Sequence, residues 1–99
     1  MEVVWSLTAA KSYRKNLEYL KEEWSVNEIE NFINIVDRAI VTISKNPEIG
    51  RRSDVSQHYR QFIIIKQITL YYRVTSHNIR LVCFFNNYQD PEKLKEFLT

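Results

Sequence analysis

The apolar positions of this chain recur in two rhythms. In the first half they fall at helical spacing. Ala10, Tyr13, Leu17, Leu20 and Trp24 follow at steps of three and four, which makes one helix face apolar. Lys11, Arg14, Lys15, Glu18, Lys21 and Glu22 fall mainly on the other faces. A second set, Ile29, Phe32, Ile33, Val36, Ile40 and Ile43, keeps the same period. Between the two sets, Ser25-Val26-Asn27-Glu28 has capping-box spacing, a Ser that accepts from the third following N–H and a Glu that reaches back. Pro47 disfavours helical backbone at Asn46, so the second helix should stop there. An antiparallel helical hairpin with almost no loop is expected.

In the second half the period drops to two. Ile68, Leu70, Tyr72 and Val74 alternate with Thr69, Tyr71 and Arg73. Ile79, Leu81, Cys83 and Phe85 alternate with Arg80, Val82 and Phe84, across a Ser76-His77-Asn78 turn. Tyr59 to Ile65 is a strand-like apolar run, and Val3-Val4-Trp5 suits a short first strand. Ser6 or Thr8 can cap the helix that follows. Asn46 to Gly50 is turn chemistry, with the only glycine expected to supply a positive φ. Arg51 to His58 is polar and reads as a loop. Asp90-Pro91-Glu92 combines an N-cap, a Pro at the first helical position and an acid in the first turn, opening a short helix to Leu98. The order β-α-α-β-β-β-α predicts an α+β fold: a helical hairpin on a small antiparallel sheet, one domain over residues 1–99.

Strand parity makes a further prediction. If Ile68, Leu70, Tyr72 and Val74 face the helices, then Thr69, Tyr71, Arg73, Arg80, Val82 and Phe84 share the outer face. Arg mixed with Tyr and Phe suits base stacking and phosphate neutralisation, or an extended or helical partner segment. The competing expectation is that the last helix folds back and covers the aromatics.

Charge sharpens the division. The total is only +2, but six Lys/Arg face eight Asp/Glu between Met1 and Gly50, a net of −2. Arg51 to Thr99 carries eight against four, a net of +4. Within Arg51–Tyr88 six cations meet one acid, Asp54. A one-sided basic region attracts polyanions or an acidic segment. The candidate surface is therefore Arg51, Arg52, Arg60, Lys66, Tyr71, Arg73, Arg80 and Tyr88.

Other chemistry is sparse. Cys83 stands alone in the apolar run Leu81–Phe85 and reads as a small buried hydrophobe. His58 and His77 sit in predicted loops with no ligands at metal spacing, so no metal or cofactor is expected. No Gly-rich phosphate motif, Ser nucleophile motif, signal peptide or membrane-length apolar run is present, which makes the cytoplasm the expected compartment.

The chain resembles the RelE/ParE family of bacterial type II toxin–antitoxin toxins over nearly its whole length. The resemblance rests on Trp5-Ser6 with Ala9-Ala10, Leu17-Glu18-Tyr19-Leu20, Trp24-Ser25, and Asn46-Pro47 with Gly50-Arg51. It continues through Leu70-Tyr71-Tyr72-Arg73-Val74 and Asp90-Pro91-Glu92-Lys93-Leu94. It implies a growth-inhibiting toxin of a plasmid-stabilisation module, neutralised by a cognate antitoxin wrapped across its surface. A homodimer and a hetero-oligomer with the antitoxin both stay open. RelE-like members cut messenger RNA on the ribosome; ParE-like members inhibit DNA gyrase.

The resemblance places the nuclease's basic positions on Arg60, Phe62, Thr69 and Tyr88, and its aromatic acid/base position near Leu94. Only Arg60 keeps the expected type. Losing a phosphate-stabilising cation costs about 10²–10³ in rate. The resemblance therefore favours a ParE-like protein binder. The alternatives are a ribosome-dependent nuclease using Arg60, Arg73, Arg80 and Tyr88, and a non-toxic antitoxin-binding or RNA-binding relative.

Overall fold

The computed structural model describes residues 1–98. Its elements are β1 (Val3–Trp5), α1 (Leu7–Lys21), α2 (Val26–Lys45), β2 (Arg51–Arg52), β3 (Arg60–Ile65), β4 (Ile68–Val74), β5 (Ile79–Asn86) and α3 (Pro91–Phe97). The expected alternation of helices and strands is present, with one strand added. Arg51–Arg52 was expected in a loop but pairs with Arg60 and Gln61 as a two-residue edge strand.

The helix boundaries follow from side-chain caps. Ser6 Oγ accepts from the Ala9 N–H at 3.0 Å and starts α1. The Ser25–Glu28 box forms in both directions, each bond 3.3 Å, and starts α2. Asp90 accepts from the Glu92 N–H at 3.0 Å ahead of Pro91 and starts α3. Trp24 lies past the end of α1, yet its ring meets Phe32 edge-on at 6.3 Å and still belongs to the core.

The sheet runs β1-β5-β4-β3-β2. The β3-β4-β5 meander is antiparallel as expected. The sheet as a whole is mixed, because β1 lies parallel to β5, pairing Val3–Trp5 with Ile79–Leu81. The helical connection makes this natural, since parallel neighbours need a long crossover.

β1 ends where β5 still has backbone to satisfy, and α1 takes over with side chains. Ser6 Oγ donates to the Val82 carbonyl at 3.1 Å. Ser12 Oγ accepts from the Phe84 N–H at 2.9 Å, and Asn16 Nδ2 donates to the Phe84 carbonyl at 2.8 Å. The cap residue Ser6 and two polar residues of α1 thus replace a missing strand, which explains the buried Asn16 amid an apolar face.

The main core lies between the helices and one sheet face. Leu20, Phe32, Val36 and Ile43 meet Ile68, Leu70, Tyr72, Ile79, Leu81 and Phe84 there. Phe84 stacks on Trp5 at 5.3 Å and lies 5.2 Å from Tyr13. This corrects the parity expectation, which placed Phe84 on the outer face. Tyr71 pairs with Cys83 but Tyr72 pairs with Leu81, so Val82 is an extra residue in β5. Such a bulge shifts every later side chain to the opposite face. Phe84 turns inward, while Cys83 and Phe85 join Tyr71 outside.

Gly50 corrects a second expectation, because its φ is not positive. The reason for glycine is space. A Cβ there would meet the Tyr72 hydroxyl at 2.6 Å and the Gln61 carbonyl at 2.7 Å. That hydroxyl accepts from the Gly50 N–H at 2.9 Å and donates to the Pro47 carbonyl at 2.8 Å, pinning the α2–β2 turn to the core.

Candidate binding surface

The outer sheet face is covered only in its centre. Leu94 and Leu98 pack over Tyr71, Cys83 and Phe85, with Tyr59 and Val82 at the border. The last helix therefore does fold back over the aromatics. Burial pushes the Cys83 thiol up to about 12, so it stays protonated and unreactive. Burial also raises the Tyr71 hydroxyl, followed by Cys83; Arg51 acts in the opposite direction and Asp54 adds a smaller upward push.

The basic residues divide between locations. Arg73 and Arg80 are direct cross-strand partners beside α3, and both are exposed. They line a groove of about 420 Å³ with Ser6, Thr8, Tyr59, Glu96 and Phe97. Arg51 is on β2, ion-paired with Asp54 at 3.7 Å, a surface contact worth little. Arg52 bonds the Gln57 carbonyl at 2.8 Å. Lys66 is exposed in the β3–β4 turn.

Arg60 and Tyr88 lie elsewhere. Arg60 pairs with Tyr72, which is on the helix-side face, and its Nη1 donates to the carbonyls of Gly50 at 2.7 Å and Glu48 at 3.3 Å. It clamps the turn that Tyr72 pins. Tyr88 is 65% exposed after β5 and lines a second groove of about 380 Å³ with Lys15, Asn16, Tyr19, Asn86 and Phe97. The structure thus brings Arg73 and Arg80 together, and separates both from Arg60 and Tyr88.

Sequence reasoning missed Tyr59, Thr8 and Phe97 as groove residues. They come from a loop and two helices far apart in the chain, and no spacing signal links them. Among the described residues no three His, Cys, Asp or Glu side chains gather as a metal site. No described helix is long and apolar enough to cross a membrane.

Comparisons with known proteins fit this architecture. No curated protein matches the chain. A solved structure described as the chromosomal ParDE TA system from P. aeruginosa superposes with a TM-score of 0.73 at 13% identity, covering 87% of this chain and 95% of that one. A YoeB/ParE toxin from Agrobacterium tumefaciens superposes with a TM-score of 0.61 at 15% identity, covering 89% of this chain and 100% of that one. At those identities the likeness is one of fold. The family described as the ParE toxin of the type II toxin-antitoxin system parDE matches residues 3–90, and to that family this chain belongs.

Proposed function

We propose that the chain inhibits growth as a protein-binding toxin directed at DNA gyrase, in a module that stabilises a plasmid. A cognate antitoxin neutralises it in the cytoplasm. The family match supports the toxin and its antitoxin. The observation that carries the protein-binding mechanism is the dispersal of the four nuclease candidates. RNA cleavage needs a base, cations and an acid around one phosphate. Arg60 is engaged with two carbonyls on the helix side, and Tyr88 lines a different groove from Arg73 and Arg80.

The test has two arms. Induced expression should arrest growth, and co-expression of the neighbouring small open reading frame should relieve it. The purified chain should block supercoiling by gyrase. Intact supercoiling, together with ribosome-dependent cuts in primer extension, assigns the nuclease mechanism and overturns this one.

A further inference from the structure

The groove beside α3 holds an arrangement that the sheet alone does not favour. Arg73 and Arg80 stand directly opposite each other on β4 and β5, where like charges repel. Among the described residues, neither the Arg51–Asp54 nor the Lys95–Glu92 ion pair involves these two arginines. No described residue hydrogen-bonds to either guanidinium, although both are exposed side by side. An anion placed between them offsets the repulsion.

The surroundings narrow the kind of anion. The N-terminal turn of α1 reaches the groove through Thr8 and carries no acidic residue, so the helix adds positive potential. Tyr59 and the 38%-exposed Phe97 provide aromatic walls. Glu96 on the rim is the opposing charge. Arginine forks accept carboxylate and phosphate alike. Aromatic walls beside a cationic groove favour nucleic acid, because every base presents a π face for stacking.

We propose that this groove binds single-stranded nucleic acid, with a backbone phosphate between Arg73 and Arg80 and a base stacked on Tyr59 or Phe97. This is binding without cleavage, and it stands whether or not gyrase is the growth target.

Fluorescence anisotropy of a labelled 12-nucleotide oligothymidylate with the full chain tests it. One neutralised phosphate on a single strand gives a log–log salt slope of about −0.7, or about 2.6-fold weaker binding from 50 to 200 mM salt. Arg73→Gln and Arg80→Gln should each remove about half of that slope. Phe97→Ala should weaken binding about tenfold at every salt concentration. Glu96→Gln should tighten it, and Arg38→Gln on α2 should change nothing. Circular dichroism melting confirms that the double arginine variant folds. The proposal is overturned by a failure to bind, by a double variant that binds like the parent, or by a 12-residue polyglutamate that binds more tightly than the oligonucleotide.

Discussion

The two faces of the sheet carry different workloads. The helix-side face is a continuous core in which Trp5, Tyr13, Phe84 and Phe32 form a chain of ring contacts under α1 and α2. The outer face holds a small cluster beneath a seven-residue helix, with open grooves on its flanks. A face that buries large rings on all sides sets global stability. A face held by two leucines opens locally at lower cost. The functional candidates follow the second pattern, with Arg73 and Arg80 where packing ends.

This contrast can be broken from either side. The largest effect should come from Phe84→Ala, which removes the buried ring that Trp5 and Tyr13 pack against and should cost about 4 kcal/mol in denaturant unfolding. A loss below that of Leu94→Ala would show that Phe84 is not the inward anchor of the core. Gly50→Ala comes next, at about 3 kcal/mol, because the added Cβ collides with the Tyr72 hydroxyl and the Gln61 carbonyl. If this variant melts with the parent, the turn moves freely and the Tyr72 pin has little value.

Leu94→Ala should cost about 2 kcal/mol, at the low end for a buried leucine. Its sharper signature is local. Amides of α3 should exchange far faster while those of β4 keep their protection. Uniform loss of protection across the sheet would join the two faces into one unit.

The effect that is smallest at neutral pH is a pH dependence. The Cys83 thiol is pushed up to about 12 in the folded chain from an ordinary value of 9.0. Above that ordinary value the unfolded chain releases a proton that the folded chain keeps. Its contribution to stability is therefore complete below pH 9 and falls as pH rises, by up to about 1.4 kcal/mol per pH unit. Tyr13, Tyr71 and Tyr72, raised by the same burial, add losses of the same sign. Cys83→Ala should flatten the decline in unfolding free energy between pH 9 and 11. An unchanged slope in that variant places the thiol in contact with water.

Local signals were legible because they depend on neighbours along the chain. The Ser25–Glu28 box, the Asp90-Pro91 start and the period-2 run of β4 all fall where side-chain spacing places them. The candidate surface was legible only as a list of six cations with Tyr71 and Tyr88. Arg60 and Arg73 look equivalent in sequence, yet one clamps a turn through two carbonyls and the other lines an open groove. The contributions of Tyr59 and Phe97 were invisible, since each lies far in sequence from the arginines it flanks.

What the sequence determined by itself was the set of elements and their order, because helix period, strand alternation and caps are local. Which face each strand residue joins was decided by tertiary pairing. Alternation defines two faces without labelling them, and one extra residue at Val82 exchanges the labels for the rest of β5. No feature of Val82 announces a bulge. It falls in the stretch of β5 that pairs with β4 on one edge while its other edge, past the end of β1, is satisfied by Ser6 and by Ser12 and Asn16 of α1. That is a long-range hydrogen-bonding requirement, and only the assembled fold can impose it.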